Sequence, residues 1–375
     1  MKSFKAGKYI NQGSYKSFQP EYINRQWIFD DSELQTLLGK AAYCIGQLDM
    51  YSRYIPNIDL FISMHILKEA TQSSRIEGTQ TNMEEALLRK EDIPLDKRDD
   101  WQEVQNYVAA MNFAVQSLAT LPVSSRLIRD THRVLMQGVR GEHKQPGEFR
   151  TSQNWIGGSN INDAVFVPPV HTSVGELMSD LEKFIYNDAI FVPELLKIAI
   201  VHYQFETIHP FLDGNGRAGR LLITLYLVNA NLLKRPILYL SDYFERNRNR
   251  YYDSLTQVRE KNNIAQWLKF FLKGIIDISE QGIATLSEVM QLQKDVDEKI
   301  HTLKSKTHNA KTVINHLYRH PMIDAPKVAT ITGISNPSAY KLIADLEQLG
   351  ILSETTGGKR GKDYVFHSYI NTFLK

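Results

Sequence analysis

The 375-residue chain has one cysteine, Cys44, so no intrachain disulfide can form and a reducing cytoplasm suits it. Cys44 sits in the apolar run Ala41-Ala42-Tyr43-Cys44-Ile45 and is expected to be a small buried hydrophobe. No apolar run is long enough to span a bilayer. The most apolar stretch, 221–233, is too short and contains Asn229 and Asn231, so it reads as a buried core helix. The first residues, Met1-Lys2-Ser3-Phe4-Lys5-Ala6-Gly7-Lys8, lack the apolar core of a secretion signal. Together these absences predict a soluble cytoplasmic protein with no membrane partner. The net charge of +2 gives no global sign of nucleic acid, and the absence of repeats and low-complexity tracts excludes solenoids and disordered arrays. What remains is a chain with 42% hydrophobic residues, enough for a large core in two or three domains.

One segment concentrates chemistry: His209-Pro210-Phe211-Leu212-Asp213-Gly214-Asn215-Gly216-Arg217-Ala218-Gly219-Arg220. Gly-Asn-Gly lets backbone approach a ligand closely and presents successive N–H groups as an anion nest, strengthened where it opens a helix. Phosphates are natural guests there. If Gly216 opens a helix, Arg217 and Arg220 stand three residues apart and can fork onto polyphosphate oxygens. Asp213 suits a hard divalent ion, Mg²⁺, which takes one or two carboxylates plus phosphate oxygens. His209 can take a proton from an incoming hydroxyl. The same letters contain Gly214-x-Gly216-x-x-Gly219, a dinucleotide fingerprint. That motif must follow a strand, whereas the preceding 193–205 opens with Pro and Glu and is too long for one.

A second constellation lies upstream. Asn57 can cap a helix in which positions 58, 61, 62, 66 and 70 form an apolar stripe, and Gly78 can end it. Ser73 and Glu77, within Ser73-Ser74-Arg75-Ile76-Glu77-Gly78, then share a face.

The twelve-residue segment resembles the signature of the Fic (filamentation induced by cAMP) family, H-P-F-x-[D/E]-G-N-G-R-x-x-R, at every fixed position. Ser73 to Gly78 resembles that family's inhibitory motif, [S/T]-x-x-x-E-[G/N]. The resemblance covers roughly residues 57–272. It implies a mainly α fold, a Fic-type helical core with a short β-hairpin flap, and a protein adenylyltransferase activity in which AMP passes from ATP to a Ser, Thr or Tyr hydroxyl. It also implies that His209 is the base and Asp213 holds Mg²⁺. The nucleotide would be bound by Gly214, Asn215, Gly216, Arg217, Ala218, Gly219 and Arg220. Glu77 would pair with Arg220 in place of the γ-phosphate. Two runs, 147–158 and 164–169, read as a hairpin around a Gly/Asn-rich turn and resemble the flap that holds a target segment by strand addition. Tyr252 falls where the family places an aromatic group near adenine. Doc-type members, which phosphorylate, depart from the Gly-Asn-Gly that this chain retains. The target, another protein or this chain itself, is not specified, and the same site can serve AMP removal with Glu77 positioning water.

Helical patterning runs from about 31 to 90, resumes from 101 to 118, 124 to 139 and 172 to 186, and flanks the motif. Trp267-Leu268-Lys269-Phe270-Phe271-Leu272 reads as a late core helix and 275–306 as a helical connector. Arg246, Arg248 and Arg250 read as a solvated helix face. From His301 onward there are 10 Lys and Arg against 5 Asp and Glu, in a pattern of three helices (310–320, 325–332, 338–349) and a hairpin tipped by Gly357-Gly358-Lys359-Arg360-Gly361-Lys362. This resembles a winged helix-turn-helix, which implies DNA as a partner, although the third helix carries Lys341 as its one cation. The expected division is an N-terminal region (1–115), a catalytic core (116–290) and the winged-helix domain (300–375). Against an autoinhibited enzyme stands the alternative of a nucleotide-sensing DNA-binding regulator. The intact His209 and Asp213 favour the enzyme, and a homodimer is compatible with both.

Overall fold

The computed structural model describes residues 4–55, 57–139, 143–355 and 361–374, and helices dominate it. An antiparallel hairpin, β1 (Gly7–Asn11) and β2 (Lys16–Pro20), precedes α1 (Ser32–Tyr54). Asp31 starts α1 by accepting a bond from the Leu34 N–H. Next come α2 (Asp59–Ile76), α3 (Met83–Leu87), α4 (Arg98–Ser117), α5 (Ser125–Leu135) and α6 (Val174–Ile185). The central pair is α7 (Glu194–Ile208) and α8 (Asn215–Asn229), followed by α9 (Ser241–Arg246), α10 (Arg248–Lys261) and α11 (Ile264–His301). No helix among the described residues is long and apolar enough to cross a membrane.

Every residue of α7 after Glu194 is buried, so this helix is the axis around which the others pack. Trp267 of α11 is fully buried and donates its indole N–H to the Ala199 carbonyl at 2.8 Å, closing the core. α2 is buried on most of its circumference, including the expected positions 58, 61, 62, 66 and 70. Asn57 does not cap it: Asn57 has φ 55°, Ile58 takes the cap position, and no side chain bonds the first turn. The acid Glu69, 2% exposed, ties the middle of α2 to α4 and α9 by accepting from Tyr107 Oη (2.9 Å), Ser241 Oγ (2.5 Å) and the Ser241 N–H (3.2 Å). Burial pushes its carboxyl up to about 7, against the pull of those donors.

Two expectations need correction. The late core helix and the connector are a single 38-residue α11, in which Gly274 makes room for the Tyr243 ring. A Cβ there would lie 2.8 Å from Tyr243 Cδ1. The core helix read over 221–233 stops at Asn229, where Asn231 turns the chain with φ 56°.

The C-terminal region runs α12 (Thr307–Leu317), β3 (Met322–Asp324), α13 (Ala325–Thr332), α14 (Asn336–Gln348), β4 (Ser353–Glu354), β5 (Asp363–Val365) and α15 (His367–Leu374), with sheet order β3-β5-β4. Strand β3 and helix α15 were not expected. Most of the basic tip falls on 356–360, outside the described residues.

Candidate functional site

The motif is a helix–loop–helix junction whose loop is braced from inside. His209 ends α7 in the left-handed region (φ 50°, ψ 61°), and Gly214 starts α8 with φ 72°. Between them Asn215 makes a closed pair with Phe211, accepting from its N–H at 2.8 Å and donating to its carbonyl at 2.9 Å. The Asn215 side chain is thereby committed to the loop, and it is the α8 N-terminus that remains as an anion cradle.

That cradle already faces an anion. Glu77, the C-cap of α2, accepts from Arg220 Nη2 at 2.6 Å, and a Cβ added to Gly216 would lie 2.1 Å from Glu77 Oε1. Gly216 is therefore required for the carboxylate to reach the helix end. Arg220, with its side chain 1% exposed, also donates Nε to Ser73 Oγ (2.8 Å) and Nη2 to the Ser73 carbonyl (2.9 Å). Burial pushes the Glu77 carboxyl up, but the Arg220 charge and hydrogen bond prevail and hold it below its ordinary value. Burial likewise opposes the Arg220 charge, and Glu77 raises it above its ordinary range.

Arg217 and Arg220 have separate partners. Arg217 lies against Glu103 of α4 (3.1 Å) and Met136 Sδ (3.6 Å), whereas Arg220 faces Ser73 and Glu77. Ala218 is buried, and Gly219 lets Glu206 close in, since a Cβ there would sit 2.3 Å from Glu206 Oε1. Glu206 was missed by the sequence reading. It is 7% exposed, its Oε1 lacks a protein partner, and burial pushes its carboxyl up to about 7 against the field of Arg220.

His209 is neutral at physiological pH, because burial pushes its imidazole down to about 4 despite the Glu77 charge, and its Nδ1 has no protein partner. A neutral imidazole can accept a proton. Its backbone carbonyl is held by Arg150 Nε (2.9 Å) and Asn154 Nδ2 (3.2 Å). Arg150, 2% exposed, also donates to the carbonyls of Pro169 (2.5 Å), Ile208 (3.3 Å) and Ser152 (3.2 Å). His132 is a second missed brace. Its ring stacks on Phe211 at 3.7 Å, accepts at Nδ1 from the Gly147 N–H (2.9 Å), and so donates Nε2–H to the Asp213 carbonyl (2.9 Å).

Asp213 is exposed at the mouth of the loop, with Oδ1 accepting from the Gly214 N–H at 2.6 Å. Among the described residues no group of three or more His, Cys, Asp or Glu is arranged to hold a metal. One open carboxylate still fits a Mg²⁺ that arrives on phosphate oxygens. Beside the site Tyr251 is buried and donates to His202 Nε2 (2.9 Å), while Tyr252 is 42% exposed. Of the arginines read as a solvated face, Arg248 is engaged: its Nη2 donates to the Ile76 carbonyl (2.6 Å) and so holds the end of α2. The flap is a minimal hairpin in which Ile156 and Phe166 exchange both backbone bonds (2.8 and 3.1 Å).

The sequence matches the family description "Fic/DOC family N-terminal" over residues 35–116 and "Fic/DOC family" over 122–227. The chain belongs to the Fic/DOC family. A protein adenylyltransferase Fic of Aedes aegypti is 30% identical over 188 residues, covering 49% of this chain and 34% of that protein. Its counterpart in Drosophila virilis is 27% identical over 232 residues, 61% of this chain and 43% of that one. The match to the mosquito protein thus spans about a third of that relative's length. A Fic family protein from Desulfovibrio desulfuricans G20 shares the fold, with a TM-score of 0.59 at 20% identity over 91% of this chain and 98% of that one. A Fic domain-containing signaling protein from Bacteroides thetaiotaomicron VPI-5482 gives a TM-score of 0.52 at 18% identity over 67% and 96%.

Proposed function

We propose that this chain is a protein adenylyltransferase that transfers AMP from ATP to a protein hydroxyl and is held inactive by Glu77. The observation carrying this reading is the Glu77 carboxylate seated against Gly216 at the α8 N-terminus and bonded to Arg220. A helix end and a buried guanidinium that already hold an anion are suited to the terminal phosphate of a nucleotide. Family membership and the relatives named as adenylyltransferases support the chemistry.

In this mechanism neutral His209 takes the proton from a Ser, Thr or Tyr hydroxyl of the target. The oxygen attacks the α-phosphorus, the bond to the bridging oxygen breaks, and pyrophosphate leaves. The α8 N-terminal N–H groups and Arg220 stabilise charge on the phosphates, with Arg217 adding positive potential beside them. Asp213 would hold Mg²⁺, which neutralises phosphate charge. Tyr252 offers an exposed ring for the base, and Arg150, Asn154 and His132 keep His209 and the loop in register. The flap edge would hold the target as an added strand.

The test is intact-protein mass spectrometry after incubation with Mg²⁺ and ATP. An AMP-sized gain that is weak in wild type, strong in Glu77→Gly and absent in Glu77→Gly/His209→Ala is expected. No gain in Glu77→Gly, with nucleotide still bound, would move the proposal to a nucleotide-sensing regulator. For the C-terminal region we read the α12-β3-α13-α14-β4-β5 order as a winged helix whose α14 presents exposed Ser338, Tyr340 and Lys341. Salt-dependent binding of duplex DNA to the full chain is its test.

A further inference from the structure

The inhibitory contact lies at one end of a rigid rod whose other end belongs to a different part of the molecule. Helix α2 has 18 residues and so is about 27 Å long. Ser73 and Glu77 hold Arg220 at its C-terminus. Its N-terminal half is held by the C-terminal region. Phe61, 0% exposed, meets Tyr318 edge-on with ring centroids 5.0 Å apart and lies 6.2 Å from Tyr369. One turn on, His65 meets Phe373 edge-on at 5.0 Å, and between them Ser63 Oγ donates to the Arg319 carbonyl at 3.3 Å. Tyr369 donates its hydroxyl to the Tyr318 carbonyl (2.9 Å), so α15 and the end of α12 form one aromatic cradle.

A second strut lies beyond α2. Arg89, in the segment after α3, donates to both Asp324 and Asp363 at 2.8 Å, joining it to β3 and β5. The packing also leaves slack where movement would need it. A cavity of about 50 Å³, lined by His65, Glu69, Tyr239, Ile278 and Phe373, lies between α2, α11 and α15, and His65 Nε2 has no protein partner.

We propose that the C-terminal region is the second half of the autoinhibitory lock: its aromatic cradle and the Arg89 bridge fix the N-terminal half of α2, and through it seat Ser73 and Glu77 on Arg220. This rests on the reading of Glu77 as inhibitory. A helix transmits the constraint because its first turn cannot shift or fray independently of its last without breaking intrahelical bonds. A ligand that binds the C-terminal region better when the cradle is disengaged from Phe61 and His65 therefore raises AMP transfer, and occupancy of the nucleotide site weakens the cradle in return.

The test uses the full chain with Phe61→Leu and, as a surface change that spares the core, Arg89→Ala. Each is made alone and with Glu77→Gly. AMP incorporation is read by mass and hydrogen exchange over residues 71–77. Both single variants should raise incorporation several-fold and speed exchange, and neither should add to Glu77→Gly. Unchanged incorporation in both, while Glu77→Gly is raised, overturns the coupling. So does a rise that persists undiminished on top of Glu77→Gly. If Glu77→Gly itself shows no rise, the inhibitory reading has failed, and unchanged exchange over 71–77 in the single variants would then overturn the mechanical link separately.

Discussion

Replacing Glu77 with glutamine keeps the shape of the side chain and removes its charge, which isolates the ion pair from the packing around it. Arg220 is buried and would retain its two bonds to Ser73. A hydrogen bond between charged groups contributes about 1.5–3 kcal/mol. Because the Glu77 side chain is 37% exposed, solvent screens part of this, leaving about 1–2 kcal/mol to be lost. At about 1 °C per kcal/mol for a 375-residue chain, the apo variant should melt about 1–3 °C below wild type at pH 7. The sign with pH follows from the depressed folded pKa of Glu77, which Arg220 maintains against the opposing effect of burial. Its stabilisation is present above the ordinary carboxyl value of 4.5 and is lost as pH falls through the lowered folded value, so the difference should shrink as pH falls below 4.5. Nucleotide reverses the order. Wild type must surrender its own ion pair to admit a phosphate, whereas the variant has nothing to give up, so its affinity for Mg²⁺-ATP should rise about 5–30-fold. Scanning fluorimetry at pH 7 and pH 4 and titration calorimetry measure both effects. Equal melting at pH 7, or equal or weaker ATP binding by the variant, would refute the reasoning.

Other perturbations test the braces around the loop. Arg150→Met removes a donor from the carbonyls of Ile208, His209 and Pro169, leaving His209 to Asn154 alone and Pro169 to a long 3.5 Å bond from Gln153, so it should cost about 1–3 kcal/mol in urea unfolding and reduce AMP transfer; an unchanged midpoint would show that water substitutes freely. Gly219→Ala forces a Cβ to 2.3 Å from Glu206 Oε1 and should be destabilised, whereas Gly46→Ala, within α1 with no atom in reach, should gain about 0.5–1 kcal/mol; equal effects on melting would contradict the packing. With burial holding His209 down at about 4, and Glu77 removed from opposing it, the acid limb of AMP transfer by Glu77→Gly should fall well below pH 6.5; a limb at 6.5 would argue for a solvated base.

The loop chemistry was legible in the sequence because its parts are neighbours along the chain: His209, Asp213, Gly214 and Gly216 need only one turn to converge. Its supports were not. Arg150 reaches His209 across 59 positions, His132 reaches Asp213 across 81 and Arg217 reaches Glu103 across 114, and no periodicity marks such pairs. Helix α2 shows the same limit. Its apolar stripe was visible, but burial of His65, Glu69 and Ser73 depends on three separate neighbours supplying Phe373, Ser241 and Arg220. Glycine spacing also hides what helix-interior glycines do: Gly219 and Gly274 lie inside helices, one facing the Glu206 carboxyl and the other the Tyr243 ring. A helix-interior glycine gives up about 0.5–1 kcal/mol relative to alanine. Where a Cβ would come within 3 Å of a neighbouring side chain, as at both positions, that cost is offset by the close approach it permits. At Gly219 the group brought close is a carboxyl beside the guanidinium on which the proposed activity depends.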